Sequence, residues 1–147
     1  ELKIKTFRCL LKGNKIMNWQ GEKYDVENPF SNHTKWIIKQ LREDFKQNFS
    51  NKLWKFSFSK ERSSIHITIK QMPKHLLKEH AQVENYFEST MGNPDRDIKD
   101  EIIKMIYDLA NAYNYDNSDP MHDYYDRNYY LYVHLTNQKT LTPVKLI

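Results

Sequence analysis

Residues 53–70 read LWKFSFSKERSSIHITIK, and this stretch decides the fold. Apolar and polar side chains alternate along 53–59 and again along 64–70, with a short polar turn at 60–63 between the two runs. Such alternation turns one face of a strand toward a core and the other toward water. The stretch therefore predicts a β-hairpin, around which the neighbouring elements are arranged.

Two amphipathic helices are predicted, one before and one after this hairpin. The first begins at Ser31 or Asn32, either of which can cap it, and the second begins at Asp95 or Asp97. The apolar face of the first helix consists of Trp36, Ile37, Leu41, Phe45 and Phe49. The apolar positions of the second are Ile98, Ile102, Met105, Ile106 and Leu109. Each helix is expected to pack its apolar face against the sheet.

The two ends of the chain complete the predicted fold. Residues 3–11 and 16–19 are expected to form a first hairpin around Gly13-Asn14, followed by a loop over 20–31, and residues 128–135 are expected to form a final strand. The fold class is α+β, an antiparallel β-sheet packed by two main helices in the order hairpin, helix, hairpin, helix, strand. One domain is expected over 1–147, with an N-terminal hairpin extension over 1–30, a core over 31–135 and a surface tail over 136–147.

Composition excludes several classes of protein. A chain of 147 residues with 39% hydrophobic and 14% aromatic residues can bury one core. Cys9 is the only cysteine, so an internal disulfide and a thiolate metal cluster are both excluded. Since no apolar run is long enough to span a bilayer, we expect a soluble cytoplasmic protein without a membrane partner.

The charge is distributed unevenly along the chain. Residues 1–80 hold seventeen Lys or Arg against eight Asp or Glu, whereas residues 81–127 hold four against eleven. A basic half can meet nucleic acid or an acidic protein, and an acidic stretch can meet a basic groove or imitate the spacing of phosphates. Charge of this kind is also common on solvated faces that attract one another within a fold.

Residues 113–135, YNYDNSDPMHDYYDRNYYLYVHL, hold seven of the ten tyrosines together with four aspartates. Rings that pack and carboxylates that face a partner are typical of a binding surface. The candidate partner-binding residues are Tyr113, Tyr115, Asp116, Asp119, Asp123, Tyr124, Tyr125 and Asp126. Alternatively, the tyrosines pack the connection between helix and strand while the aspartates cap turns.

The basic half supplies a second candidate surface. Its cations are Lys35, Lys39, Arg42 and Lys46 on the first helix, and Lys52, Lys55, Lys60 and Arg62 on and beside the hairpin. Trp54 or Phe58 would be available to stack on a base. The alternative hypothesis is therefore a nucleic-acid-binding module, although a helix with many lysines is also typical of any surface helix.

Motifs for catalysis or metal binding are weak. His75 and His80 lack the spacing of ligands on one helix face, and Asp116, Asn117 and Asp119 lack the glycine and closing glutamate of a calcium loop. His122, Asp123 and His134 could in principle gather a metal or a general base, but nearness in sequence is weak support, and Cys9 has no neighbouring histidine. We therefore predict no enzyme, no metal site and no cofactor.

Three segments occur in an order that resembles a known family. They are TKWIIKQLREDF, WKFSFSKERSSIHITI and the 113–135 segment quoted above, which together cover about residues 33–135. This order resembles the large polyvalent protein-associated domain family. The resemblance implies a small α+β module of phages and conjugative elements, often found within long fusion proteins linked to the protection of incoming DNA.

The resemblance implies a setting in which mobile elements counter host defences. A stoichiometric inhibitor needs only a rigid surface with aromatic anchors and complementary charge. We therefore expect a counter-defence protein resembling an anti-CRISPR, which binds a host nuclease complex such as a CRISPR effector or a restriction enzyme through the Tyr/Asp-rich surface. Its aspartates would take the place of phosphates in a Lys/Arg groove.

Overall fold

The computed structural model describes residues 4–6, 11–12, 15–16, 19–24, 33–79, 81, 93–123 and 125–147. The described strands are β1 (Ile4–Thr6), β2 (Leu11–Lys12), β3 (Lys15–Ile16), β4 (Trp19–Gly21), β5 (Lys55–Glu61), β6 (Ser64–Met72), β7 (Tyr115–Asp116), β8 (Tyr130–His134) and β9 (Lys145–Leu146). The described α-helices are α1 (His33–Asn48), α2 (Pro94–Asp97) and α3 (Asp100–Ala110). Short 3-10 turns lie at Lys74–Leu76 and Pro120–His122.

The main sheet is built on the predicted hairpin. β5 and β6 pair antiparallel across a turn in which Arg62 has a φ of 53°. β8 and β9 both pair with β6, and both are parallel to it. The core side chains of β6 are Ile65, Ile67 and Ile69, which alternate along the strand and have no exposed surface. The alternation read from the sequence therefore shows which face of the strand is buried.

The parallel direction of β8 corrects the predicted antiparallel sheet: the fold is α+β with a mixed sheet. Strands joined by a short turn must be antiparallel, whereas a connection that contains helices can return the chain in either direction. Here α2 and α3 lie between β6 and β8 in the chain. The predicted surface tail over 136–147 is also wrong in part, because β9 joins the sheet and Val144 is buried.

The first predicted helix is α1, and its apolar side chains Ile37, Leu41 and Phe45 are buried in the core. Its predicted caps, Ser31 and Asn32, lie outside the described residues. The helix packs against β5, β6 and α3. This arrangement leaves the lysines and the arginine of α1 exposed beside the first strand of the hairpin.

The second predicted helix is divided, which corrects the sequence prediction. Ile98 lies between α2 and α3 with an extended backbone. It forms an isolated β-bridge with Leu77 instead of continuing a helix. Asn93, and neither predicted aspartate, caps α2 by accepting a hydrogen bond from the amide of Asp95 at 2.9 Å. Met105 is 38% exposed, and Ile103 is buried instead. The break between α2 and α3 therefore depends on contacts with other parts of the chain, which the helical periodicity of the sequence does not reveal.

The N-terminal strands connect to the Tyr/Asp-rich segment. β1 pairs with β4, β4 pairs with β7, and β2 pairs with β3, all antiparallel. β4 includes Gln20 and Gly21, which corrects the predicted loop that begins at residue 20. A Cβ atom at Gly21 would overlap the carbonyl groups of Asn111 and Ala112. Glycine is therefore required where β4 approaches the end of α3.

Candidate functional site

A cationic groove lies between α1 and β5. It encloses a cavity of about 400 Å³ and is lined by the exposed cations Lys39, Arg42, Lys46, Lys55 and Lys70. Glu43 is the carboxylate in this lining. Within the described residues, the four lysines make no ion pair. We call this site the α1–β5 groove, and its charge is available to a bound anion.

The floor of the groove is aromatic. Phe45 and Phe49 come from α1 and its end, and Trp54, Phe56 and Phe58 come from the approach to β5 and from the strand itself. The ring of Phe45 meets those of Phe56 and Phe58 edge to face, at centroid distances of 4.9 Å and 5.3 Å. Edge-to-face packing of this kind holds rings rigidly. The groove is therefore a firm apolar surface with a charged rim.

The two aromatic residues predicted to stack on a base differ in exposure. Trp54 is 6% exposed and lies parallel to Phe56 at a centroid distance of 5.6 Å, so it belongs to the core. Phe58 is half-buried, and its carbonyl oxygen lies 3.5 Å from a guanidinium nitrogen of Arg42. Phe58 and Phe56 are therefore the rings of the floor that a ligand can reach.

The structure brings together half of the predicted basic residues. Lys39, Arg42, Lys46 and Lys55 line the groove, and Lys70 joins them although the sequence prediction left it out. The remaining predicted cations, which are Lys35, Lys52, Lys60 and Arg62, are exposed outside this lining. Lys70 lies fifteen positions after Lys55 in the sequence, and only the antiparallel pairing of β5 with β6 reveals that they are neighbours.

Part of the Tyr/Asp-rich segment, which the sequence predicts to be a partner-binding surface, is buried. Tyr113 is 5% exposed, and its hydroxyl donates to Asp44 at 3.0 Å. Burial, together with the nearby carboxylate of Asp44, raises the pKa of Tyr113 above its usual value. Lys23 completes this cluster through a 3.2 Å contact with Asp44. Tyr113 is therefore positioned to hold α1 beside the end of α3.

Asp116 is also turned inward. Its carboxylate accepts from Arg127 at 2.6 Å and from the amide of Ser118 at 2.9 Å. Burial alone would raise the pKa of Asp116, but the hydrogen bonds from Ser118 and Arg127 outweigh it, and the pKa lies below the usual value. Tyr115 and Asp126 are half-buried and contact each other at 3.5 Å. These groups hold the segment together.

Asn114 is the centre of this segment. Its side-chain amide donates to the carbonyl of Tyr129 at 2.9 Å, and its side-chain oxygen accepts from the amides of Tyr115 and Tyr129. The hydroxyl of Tyr129, a ring without exposed surface, donates to the carbonyl of Ala110 at 2.6 Å. A buried amide satisfied in this way fixes the route of the chain from α3 to β8.

The exposed part of the segment is short. Asp119, Met121, His122, Asp123 and Tyr125 face solvent, with Met121 90% and Tyr125 63% exposed. We call these residues the Met121 segment. His122 contacts Asp119 at 2.7 Å, so one of the two predicted carboxylates has a partner on its own turn. Tyr124 lies outside the described residues.

The two histidines of the Tyr/Asp-rich segment, His122 and His134, contact different partners. His134 contacts His66 across the sheet, with 3.0 Å between its Nε2 and the Nδ1 of His66, whereas His122 contacts Asp119. Burial, and then the neighbouring His66, lower the pKa of His134. His80 and Cys9 lie outside the described residues, and His75 is exposed. Among the residues that the structure describes, no group of three His, Cys, Asp or Glu side chains is placed to hold a metal ion.

Comparison of the chain with protein-family models, curated proteins and solved structures finds no match. The resemblance to the large polyvalent protein-associated domain family therefore stays a prediction. None of the helices in the described part of the chain is both long enough and apolar enough to cross a membrane.

Proposed function

We propose that this chain is a nucleic-acid-binding module and that the α1–β5 groove holds the phosphates of a nucleic-acid strand. The observation that supports this function best is the gathering of five cations and one carboxylate around a single aromatic-floored cavity. Lysine and arginine that neutralise phosphates release condensed counterions, and this release supplies most of the affinity of nonspecific binding. The module acts by binding.

The size and lining of the groove favour a single strand. A volume of about 400 Å³ lies within the range of cavities that hold small organic ligands, so a unit the size of a nucleotide can enter. Partly exposed Phe56 and Phe58 offer ring surface to an unpaired base, whose flat face is available only when it is outside a duplex. The cations on the rim lie beside these rings, where the backbone of that nucleotide would run.

Competition between nucleic acids tests this proposal. A fluorescently labelled oligothymidine is titrated with the protein at low salt, and unlabelled single-stranded DNA, single-stranded RNA and duplex DNA then compete for it. We expect a single strand to displace the probe at lower concentration than the duplex does. Absence of binding at low salt, or equal competition by the duplex, would contradict the proposal.

A second function is favoured by the Met121 segment, namely the inhibition of a host nuclease complex. Met121 and Tyr125 are large side chains that project into solvent, and Asp119 and Asp123 lie beside them. Exposed aromatic and methionine anchors with charged neighbours are the residue types that dominate protein interfaces. The partner in this case is a CRISPR effector or a restriction enzyme whose nucleic-acid groove is basic.

A cleavage assay tests the second function. Purified effector is incubated with the protein, and cleavage of its target DNA is followed over time. If the Met121 segment is the contact, the double variant Met121→Ala/Tyr125→Ala loses inhibition, whereas Lys52→Gln retains it. Full inhibition by the double variant would move the contact elsewhere. Inhibition that is lost in Lys39→Gln/Lys46→Gln but kept in the Met121 segment variant would instead support action through the α1–β5 groove.

A further inference from the structure

The face of the main sheet opposite α1 carries a second set of flat side chains. Since Ile65, Ile67 and Ile69 of β6 lie in the core, the residues between them face the other way. The parallel register places Tyr130 beside Ser64, Tyr132 beside His66 and His134 beside Thr68. We call these residues of β6 and β8 the open-face row.

The two histidines of the row form one planar unit. Their facing nitrogens are 3.0 Å apart, their ring planes differ by 8°, and their centroids are 5.3 Å apart. Two imidazole rings whose facing nitrogens are this close reach such a centroid separation only when both ring centres lie on the line through those nitrogens. The rings therefore lie edge to edge in nearly one plane, not one above the other. The ring of Tyr132 lies against His66 at 4.9 Å, with an angle of 18° between the planes. Neighbouring strands therefore present three rings in fixed positions.

These rings are accessible to a ligand. Tyr132 is 47% and Tyr130 38% exposed, although both are large aromatic residues. His66 and His134 are half-buried, so their edges are held while part of their surface remains open. The carboxylate of Glu61 lies 4.0 Å from the second nitrogen of His66, at the end of the row beside the hairpin turn. Rings, hydroxyls and imidazoles are the groups that contact unpaired bases.

The row ends beside a cation of the groove. Lys70 follows Thr68 by two positions, at the irregularity in the β5–β6 pairing, and lines the α1–β5 groove, so the groove begins where the row ends. At the other end, the guanidinium carbon of Arg127 lies 5.4 Å from the centroid of the Tyr130 ring, and one of its nitrogens is paired with Asp116. The distance from Lys70 to Ser64 is about 20 Å at the usual rise of a strand, the length of roughly six stacked nucleotides.

We propose that the open-face row is a base-stacking surface over which a single-stranded nucleic acid continues after leaving the α1–β5 groove at Lys70. Tyr132 takes the central base. This inference rests on the function proposed for the groove. Stacking on exposed rings tolerates any base, so the row lengthens the site without adding sequence preference.

The length of the bound strand tests this inference. Anisotropy titrations compare oligothymidines of about 4 and about 16 nucleotides, which bracket the site sizes of known single-strand binders. We expect the longer strand to bind wild type more tightly. Tyr132→Ala should weaken binding of the longer strand by about 5-fold to 150-fold, the range for loss of one base–ring stack, and should leave the shorter strand nearly unchanged.

Two variants make the result specific. Tyr132→Phe keeps the ring and should bind as wild type does, which also separates stacking from loss of folding. Tyr125→Ala removes a more exposed tyrosine outside the row and should have no effect. Equal binding of the two lengths, or unchanged binding of the longer strand by Tyr132→Ala, overturns the row while leaving the groove intact. If wild type binds neither strand, the groove proposal fails and the row fails with it.

Discussion

The salt dependence of binding gives a quantitative prediction for the α1–β5 groove. On a single strand, each neutralised phosphate contributes about 0.7 to the slope of log affinity against log salt concentration. Five cations line the groove, so full engagement gives a slope of about −3.5. Affinity then falls about 100-fold between 50 mM and 200 mM salt.

The perturbation is the double variant Lys39→Gln/Lys46→Gln, which removes two cations from the helical side of the groove. Both side chains are exposed, so glutamine keeps most of their length and their helical preference without disturbing the core. The slope should become shallower, at about −2.1, and the loss of affinity over the same salt range should shrink to about 20-fold. Fluorescence anisotropy of labelled oligothymidine at several salt concentrations measures both quantities.

The matched control is Lys52→Gln/Lys60→Gln. These two lysines are also exposed, but they lie outside the lining of the groove, so the net charge of the protein changes equally while the groove does not. We expect the control to keep the wild-type slope. If the salt slope becomes equally shallow in both double variants, binding depends on net charge rather than on the groove. An unchanged slope for the groove variant would also refute the reasoning.

Three further predictions concern the scaffold and its titration. Tyr129→Phe leaves the carbonyl of Ala110 without its buried donor, which should cost about 1–3 kcal/mol and lower Tm by roughly 3–9 °C in a thermal melt followed by circular dichroism; a change below about 1 °C would contradict it. Gly21→Ala should destabilise by about 1–3 kcal/mol or more, seen as a lower urea midpoint at unchanged m, because its Cβ has no space. The pKa of His134 is lowered in the fold, so the folded state binds fewer protons, and the stability that neutral His134 contributes is complete above its unfolded pKa of about 6.5 and is lost as pH falls through the folded value. The stability difference between wild type and His134→Gln should therefore decrease as pH falls from 7.5, and an increase would show that the protonated histidine is the favoured form.

Local periodicity predicts the elements that decide the fold, and it does so for a physical reason. In α1 and in the β5–β6 hairpin, the residues that face the core are set by spacings of a few positions, so the sequence alone shows them. The parallel direction of β8 was not predictable in this way, because it depends on the route of a connection that contains two helices. The helix break at Ile98 was not predictable for a similar reason, since Ile98 forms a β-bridge with Leu77, which is not a neighbour in the sequence.

The candidate site was predicted in part. The basic residues of α1 were visible as charges on the polar side of an amphipathic pattern, but Lys70 entered the groove only through strand pairing. The Tyr/Asp-rich segment was conspicuous by composition, yet composition does not separate an exposed tyrosine from one that packs. Tyr113 is buried against α1, where its hydroxyl donates to Asp44. Asp44 lies 69 positions away in the chain, and no local pattern reveals such a partner.

The two charged halves of the sequence also differ in how much of their charge is available to a partner. In the described part of the acidic stretch, many carboxylates have a cation beside them: Asp97 meets Arg96, Asp100 meets Lys78, Asp108 meets Lys104 and Asp116 meets Arg127. The groove lysines make no such pair within the described residues. A paired carboxylate presents a weaker field to a basic partner than an isolated one does, whereas unpaired lysines around one cavity add their fields. For this reason we place the proposed nucleic-acid-binding function at the groove, although the acidic stretch is the more conspicuous one in the sequence.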